Sequence, residues 1–231
     1  MARPRRVERT AEEVQGGWSR QRRRKRLLVV CEGAETEGRY FELLRDDLDI
    51  PRSGVEIVRA GKEINGAVEE AIRRRDERAA EAKMSPRIAK FDEVWCVVDT
   101  ERMVDNKTAW DKGADRAKAV KVKLAWSNPC FEYWLLLHFE CAGTCFDGYK
   151  KLNPKLRKHM PAYRKNVDCF KQLAPRVPKA IENSKQIHKS QWQGTEKPMD
   201  CNPGTVVHEL VERLLEIAGT TIKAYQTRRP V

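Results

Sequence analysis

Short apolar runs alternate with longer segments of helical spacing through the first half of the chain. The runs that predict strands are residues 26–31, 55–59, 93–98 and 120–126. The segments between them that predict helices are residues 36–48, 65–83 and 107–118. The runs 26–31 and 93–98 are almost entirely apolar, which is typical of strands buried on both faces of a parallel sheet. This alternation indicates βαβ units, so the sequence predicts an α/β fold with a mainly parallel sheet flanked by helices.

The second half of the chain has weaker periodicity. Residues 131–139 are apolar nearly all round, which predicts a buried helix, with Asn128 as its cap and Pro129 at its first position. Residues 202–217 predict an amphipathic helix that ends at Gly219. The predicted divisions are a flexible basic arm at 1–25, an α/β core at 26–140, a basic and mostly helical insertion or lobe at 141–199, and a C-terminal helix at 200–231 that packs back on the core.

The composition of the chain indicates its cellular location. No stretch approaches the roughly 20 apolar residues of a membrane span, and no apolar segment follows the N-terminal arginines as in a secretory signal. We therefore expect a soluble cytoplasmic protein without membrane contact. Of the seven cysteines, Cys31 and Cys96 lie in strand-like runs and favour a reduced interior. Cys141, Cys145, Cys169, Cys201, His138 and His208 lack the tight spacing of zinc ligands, so zinc is not expected.

Charge indicates a polyanionic partner. The formal net charge is +12, and Lys and Arg concentrate at 20–26, 73–78 and 150–171. Counterion release draws such surfaces to nucleic acid, although solvated basic helices give the same composition. The residues predicted to contact nucleic acid are Arg22, Arg23, Arg24, Lys25, Lys150, Lys151, Arg157 and Lys158.

Acidic residues stand where predicted strands end. Glu32 follows the first strand, and Asp99 and Glu101 follow the third. Because ligands of α/β sheets bind at the carboxyl ends of the strands, we expect these carboxylates to share one cation. Mg²⁺, with Mn²⁺ as an alternative, suits such a site and indicates phosphoryl transfer or phosphodiester hydrolysis. A solvated turn carboxylate is the alternative interpretation of Asp99.

Glu132 lies in the apolar helix and is predicted to be at least partly buried, so it must be paired, protonated or bound to a cation. A salt bridge to an arginine is the alternative to a catalytic role. His138 is a second-tier candidate, because a core histidine with satisfied hydrogen bonds is the commoner case. Glu37 is interpreted as an acid that the helix dipole favours in a first turn.

Four blocks together resemble the RloB-like family, a Toprim-related group found among bacterial and archaeal abortive-infection and antiviral loci. They are LLVVCEGAETEGRYF at 27–41, VVDTE at 97–101, SNPCFEYWLLLHF at 127–139 and DCNPGTVVHELVERL at 200–214. The resemblance implies a Toprim-like, Rossmann-like fold with a glutamate after the first strand and an acidic pair after a later one. Glu32 matches the glutamate, and Asp99-Thr100-Glu101 matches the pair.

The chain departs from the usual Asp-x-Asp pair by placing glutamate second. The extra methylene moves that carboxylate by roughly 1.5 Å, which bears on the metal geometry. Asn128 and Asn202 stand in blocks that look like family signatures, and we expect them to cap helices that direct Glu132 and His208 toward the site. The predicted catalytic residues are Glu32, Asp99, Glu101 and Glu132, of which the first three would hold the metal.

The resemblance implies a Mg²⁺-dependent endonuclease that acts in antiphage defence, beside a sensor ATPase encoded nearby. The chain has no GxxxxGK[ST] motif, so a partner would sense ATP. By analogy with translation-arresting effectors, RNA such as tRNA is favoured over DNA. A non-catalytic nucleic-acid-binding or scaffold module is the main alternative, and a primase- or topoisomerase-like Toprim domain is another. Cleavage site, trigger and oligomeric state stay open.

Overall fold

The computed structural model describes residues 25–33, 35–61, 63–101, 107–165, 167–192 and 197–228. Within these ranges one five-stranded sheet has the order β2-β1-β3-β4-β5. The first four strands pair in parallel, and β5 pairs antiparallel to β4. The strands are β1 (Leu27–Cys31), β2 (Val55–Arg59), β3 (Glu93–Asp99), β4 (Lys123–Asn128) and β5 (Gly204–Thr205). The predicted α/β class is confirmed, and the sheet is consistent with a Rossmann-like Toprim fold.

Helices cover both faces of this sheet. The helices before β4 are α1 (Thr36–Asp47), α2 (Ile64–Met84) and α3 (Lys107–Ala119). Those after it are α4 (Glu132–Leu137), α5 (Gly148–His159), α6 (Phe170–Leu173), α7 (Val177–Gln191), α8 (Val207–Ile217) and α9 (Ile222–Arg228). None of the helices in the described ranges is long and apolar enough to cross a bilayer.

Alternate residues of the central strands supply two apolar cores. Leu27 and Val29 of β1 point into a large core that also holds α1 and α4, while Leu28 and Val30 pack beneath α2 and α3. This follows from the side-chain period of two along a strand. The uninterrupted apolar runs therefore mark strands that are buried on both faces.

The segment predicted as an insertion extends the larger core. Leu152 and Leu156 of α5 and Ile181 of α7 belong to the same buried cluster as Leu27 of β1. The C-terminal helix α8 joins this cluster through Leu210 and related residues. The described residues of the segment 148–191 therefore pack on the same core as the sheet.

Three predicted boundaries are wrong for local reasons. The fourth strand begins at Lys123 and not at residue 120, because the backbone N–H groups of Val120 and Val122 close the end of α3. Helix α4 begins at Glu132, and its cap position is Phe131 and not Asn128. The predicted helix at 202–217 begins only at Val207, because residues 204–205 form the edge strand β5.

Candidate active site

A cavity of about 320 Å³ opens at the carboxyl ends of β1 and β3. This is where an α/β sheet places its ligands, because the loops after parallel strands meet at one edge. Glu32 directly follows β1, Asp99 ends β3, and Glu132 is the first residue of α4 after β4. The described residues that line the cavity are Glu32, Gly33, Glu35, Thr36, Glu37, Gly61, Asp99, Glu101, Glu132 and Lys165. The four predicted catalytic residues are thus brought together.

A hydrogen bond fixes the first two carboxylates. The backbone N–H of Asp99 donates to Oε2 of Glu32 over 3.0 Å. The backbone N–H of Glu32 in turn donates to the carbonyl of Val97 over 2.8 Å, which continues the pairing between β1 and β3. Glu32 is only 5% exposed. The end of the sheet therefore sets the positions of both acids.

Asp99 is destabilised in its ionised form. Burial raises the pKa of Asp99 well above its usual value, and the nearby carboxylates of Glu37, Glu132 and Glu32 raise it further. A hydrogen bond from the backbone N–H of Phe131 opposes these effects in part. Oδ1 of Asp99 is buried and has no hydrogen-bond partner among the described residues. Such an oxygen calls for a proton or a cation.

Glu132 is 2% exposed and has partners from the segment between α5 and α6. The hydroxyl of Tyr163 donates to its Oε1 over 2.9 Å, and Nζ of Lys165 lies 3.7 Å from the same oxygen. Burial and the Glu132 carboxylate raise the pKa of Tyr163. Burial alone would lower the pKa of Lys165, but Glu132, Asp99 and other nearby groups together more than offset this and raise it. The salt bridge that sequence reasoning ascribed to an arginine is therefore made by a lysine.

Glu37 is a site residue that sequence reasoning missed. It lies in the first turn of α1, is 6% exposed and is the carboxylate with the largest effect on Asp99. Its side chain passes directly over Gly33, where a Cβ atom would lie 2.0 Å from Oε2 of Glu37. The absence of a side chain at Gly33 makes this approach sterically accessible. The glycine directly after Glu32 was the signal available in the sequence.

Glu101 lines the cavity but also serves a second element. Its Oε1 accepts a hydrogen bond of 2.8 Å from the backbone N–H of Tyr149, in the first turn of α5. The carboxylate thus satisfies one of the N–H groups that a helix leaves free at its start, where the helix dipole also favours negative charge. Glu101 therefore joins the acidic cavity to the basic helix α5.

The donor set suits a hard divalent cation. Among the described residues that line the cavity, the carboxylates of Glu32, Glu37, Asp99 and Glu132 outnumber the basic side chains, of which Lys165 is the one present. Carboxylate oxygens are the ligands that Mg²⁺ and Mn²⁺ prefer, and the unpartnered Oδ1 of Asp99 is available to such an ion. Within the described ranges, no three His, Cys, Asp or Glu side chains are already grouped at metal-binding spacing. The side chains match the ion in chemistry.

The candidate His138, and His208, which was expected to point toward the site, both lie away from the cavity. His138 is buried, with Nδ1 3.0 Å from the carbonyl of Trp134 and Nε2 3.2 Å from the hydroxyl of Tyr40. Burial lowers its pKa to about 4. His208 contacts the hydroxyl of Ser184 over 2.9 Å, and burial likewise lowers its pKa to about 4. Neither lines the cavity, so both are core histidines with hydrogen-bond partners.

The two asparagines connect chain segments and do not cap helices. Nδ2 of Asn128 donates to the carbonyl of Pro198 over 2.9 Å. Asn202 accepts from the backbone N–H of Phe146 over 3.1 Å and donates to its carbonyl over 2.8 Å. The cap position of α8 is Val206, so the expectation that Asn202 caps this helix is wrong.

Of the predicted nucleic-acid contacts, those on α5 belong to a helix whose first turn contacts the cavity residue Glu101. Lys150, Lys151, Arg157 and Lys158 are exposed on this helix, whose first turn contacts Glu101. Lys25 instead precedes β1 at the opposite edge of the sheet and pairs with Glu93 over 3.4 Å. The remaining predicted contacts, Arg22, Arg23 and Arg24, and the arm at 1–24 lie outside the described residues.

A comparison with protein families identifies a match. The family described as RloB-like protein matches residues 27–214, which is most of the chain. Searches of curated proteins and of solved structures find no match. The matched range begins with β1 and ends within α8, so it includes every described element that lines the cavity.

Proposed function

The chain belongs to the RloB-like family, and from this membership and the buried carboxylate cluster we propose that it is a metal-dependent nuclease. It would hydrolyse phosphodiester bonds in the cytoplasm as an effector of antiphage defence. The observation that carries the proposal is Asp99, whose ionised form is disfavoured by burial and by Glu37, Glu132 and Glu32, and whose Oδ1 is unpartnered within the described ranges. A carboxylate cluster that is suited to a cation is the arrangement that phosphodiester chemistry needs.

Each acid has a distinct role in this proposal. Glu32, Asp99 and Glu101 would hold Mg²⁺ or Mn²⁺, which when bound supplies Lewis-acid stabilisation and an activated water. Glu32 also holds the end of β3 through its hydrogen bond to the Asp99 N–H. Glu132 would act as a further ligand or as a general base, because Tyr163 orients its carboxylate. Glu37 would add negative charge beside Asp99 and strengthen cation binding.

The substrate would be a nucleic acid that lies along α5 and enters the cavity at Glu101. The exposed basic side chains of α5 would neutralise backbone phosphates. RNA such as tRNA is the proposed substrate class, by analogy with effectors that arrest translation. A sensor ATPase encoded nearby would control the enzyme.

A non-catalytic nucleic-acid-binding module is the second candidate, and two observations favour it. Oε1 of Glu101 is engaged by the Tyr149 N–H, and within the described residues no three ligand side chains stand at metal-binding spacing. In that case the carboxylates would serve the fold, and the protein would bind nucleic acid as part of a defence complex.

Cleavage assays with isosteric variants separate the two candidates. Purified protein is incubated with total tRNA and with plasmid DNA in Mg²⁺, Mn²⁺ or EDTA, beside Asp99→Asn and Glu32→Gln. Asp115→Asn is the matched control, because Asp115 is exposed on α3 and does not line the cavity. We expect metal-dependent fragments with the wild type and Asp115→Asn and none with the site variants, while all four proteins bind nucleic acid equally.

The opposite result supports the second candidate. Binding without cleavage by the wild type in every metal, and in the presence of the proposed ATPase partner, would overturn the nuclease. Cleavage that survives both site substitutions would show that the carboxylates are structural.

A further inference from the structure

Lys165 is the one basic side chain among the described residues that line the acidic cavity. It lies in the segment between α5 and α6, far in sequence from the strand ends that carry the acids. Sequence reasoning gave it no role, because it stands among many lysines and arginines of the basic segment 150–171. Its position beside the carboxylates is a product of the fold alone.

Three contacts hold Lys165 at the mouth of the cavity. Its backbone carbonyl accepts a hydrogen bond of 3.4 Å from the hydroxyl of Thr36, at the start of α1. Its Nζ lies 4.5 Å from the centre of the Tyr149 ring, which is a cation–π contact. The same Nζ lies 3.7 Å from Oε1 of Glu132. The ammonium group is thus positioned from α1, α4 and α5 together.

These contacts leave the ammonium group able to bind an anion. The side chain of Lys165 is 56% exposed, so Nζ faces the open cavity as well as Glu132. The closer partner of the Glu132 carboxylate is the hydroxyl of Tyr163, at 2.9 Å. An ammonium group has three N–H donors, and the long contact to Glu132 uses at most one of them.

We propose that Lys165 binds the phosphate of the nucleic acid that is cleaved and stabilises the negative charge that grows on it during hydrolysis. This inference rests on the proposed nuclease function. The acids that line the cavity repel a phosphate group, and the positive charge of Lys165 beside Glu132 offsets that repulsion. Lys165 touches the reacting phosphate in this arrangement and is therefore a catalytic residue.

A structural role for Lys165 makes different predictions. If its charge only neutralised Glu132, its loss would alter stability but would leave the number of phosphate contacts unchanged. The salt dependence of nucleic-acid binding distinguishes these cases. The slope of log K against log salt is negative, and each lost phosphate contact reduces its magnitude by about 0.7–0.9.

The experiment compares wild type with Lys165→Met, Lys165→Arg and Lys83→Met. Methionine keeps the apolar stem over Tyr149 and removes the charge, whereas arginine keeps the charge. Lys83 is the matched control, because it is exposed in the last turn of α2 and does not line the cavity. Two quantities are measured on tRNA. The first is the single-turnover cleavage rate in Mg²⁺. The second is the binding constant in Ca²⁺ at salt concentrations from roughly 50 to 300 mM, where counterion release makes binding depend strongly on salt.

We expect Lys165→Met to slow cleavage roughly 100-fold, as is typical when one group that stabilises a transition-state charge is lost. The magnitude of its salt slope should fall by the amount that corresponds to about one phosphate contact, while Lys165→Arg should keep the wild-type slope. A Lys165→Met variant that cuts and binds like Lys83→Met overturns the inference and leaves the nuclease in place. If the wild type binds nucleic acid but never cleaves it, the nuclease proposal is overturned, and with it the catalytic role of Lys165. The salt slope then shows whether Lys165 contacts a phosphate group. A wild type that neither binds nor cuts overturns both.

Discussion

The backbone N–H of Asp99 donates a 3.0 Å hydrogen bond to Oε2 of Glu32, and this bond ties the carboxyl ends of β1 and β3 together. The two acids are 67 positions apart in the chain and become neighbours because β1 and β3 are adjacent parallel strands. The bond leaves Oδ1 of Asp99 buried, and the carboxylates of three other acids lie near it. The sheet therefore holds these acids close together although their negative charges repel one another.

Asp99→Asn should stabilise the metal-free protein at neutral pH. The folded-state pKa of Asp99 is raised by burial and by its acidic neighbours. Its contribution to stability is therefore fully present below the unfolded pKa of about 3.9 and is lost as pH rises through the higher folded pKa. Asparagine keeps the shape without the charge, so we expect an increase in Tm of roughly 2–4 °C, equivalent to about 1 kcal/mol for a chain of this length.

Thermal unfolding in EDTA at pH 5 and pH 8 measures this effect. The advantage of Asp99→Asn over the wild type should grow with pH, and Mg²⁺ should raise the Tm of the wild type more than that of the variant. Asp115→Asn, at an exposed position of α3, should follow the wild type throughout. An Asp99→Asn variant that is less stable than the wild type at pH 8 would show that other groups in the protein already stabilise the ionised carboxylate of Asp99.

Glu101→Gln separates the two roles of Glu101. The amide oxygen of glutamine can still accept the hydrogen bond from the Tyr149 N–H, so α5 keeps its contact. The charge that would bind the metal is lost. We expect a stability within about 0.5 kcal/mol of wild type, since the substitution leaves the buried contacts in place, and a weaker apparent affinity for Mg²⁺ in cleavage assays.

Glu101→Ala provides the comparison. It removes the hydrogen bond as well as the charge and should cost a further ~1 kcal/mol, as is usual for loss of a helix cap. Chemical denaturation measures the two stabilities. If cleavage by Glu101→Gln depends on Mg²⁺ in the same way as cleavage by the wild type, Glu101 does not bind the metal and serves only the contact with α5.

Glu32 and Asp99 were found from the sequence because apolar runs mark the strands of a parallel sheet, and ligands lie where those strands end. The same reasoning missed Glu37 and Lys165. Glu37 stands in a first helical turn, where an acid is common whatever its function. Lys165 reaches the cavity only because α5, α6 and the segment between them pack on α1 and α4, and no local pattern encodes that packing.

The helix-cap predictions failed for a related reason. Asn128-Pro129 has the residue types of a helix start, but Asn128 is the last residue of β4 and its side chain bonds Pro198. The edge strand β5 is only two residues long and has no periodicity to detect. Tertiary hydrogen bonds determined the structure at both positions, whereas long elements such as α2 followed their apolar pattern.

His138 should make the protein sensitive to mild acid. Burial lowers its folded-state pKa to about 4 from an ordinary value of 6.5. A depressed folded pKa contributes stability that is present above pH 6.5 and is lost as pH falls through about 4. The shift corresponds to about 3 kcal/mol at pH 4. His208 has the same depressed pKa and acts in the same direction.

Urea unfolding between pH 7 and pH 4 tests this prediction. His138→Gln should be less stable than the wild type at pH 7 by about 1–2 kcal/mol, because the contacts to Tyr40 and Trp134 are weakened. Its stability should nevertheless fall less steeply with acid. His159→Gln is the comparison for an exposed histidine at the end of α5, whose ring lies 3.5 Å from Glu140 and is therefore favoured in its charged form. A slope unchanged in His138→Gln would mean that the ring is not kept neutral.

Glu37→Gln should weaken metal-dependent cleavage without disrupting the fold. Glu37 is the carboxylate that most strongly raises the pKa of Asp99, after burial, so it adds negative charge at the point where a cation would bind. Glutamine is isosteric and can keep the close packing over Gly33. We expect cleavage at limiting Mg²⁺ to fall roughly 10-fold, the size of a 1.4 kcal/mol loss in cation binding, and to recover in part at saturating Mg²⁺.

A Mg²⁺ titration of the cleavage rate, with thermal unfolding as the check on folding, measures both parts of this prediction. Glu81→Gln is the control, because Glu81 is exposed on α2 and outside the cavity. If Glu37 only served the dipole of α1, its variant would be slightly less stable and would keep the wild-type Mg²⁺ dependence. A loss that saturating Mg²⁺ cannot reverse would instead place Glu37 in contact with the substrate or the reacting water, and the division of roles among the acids would then have to change.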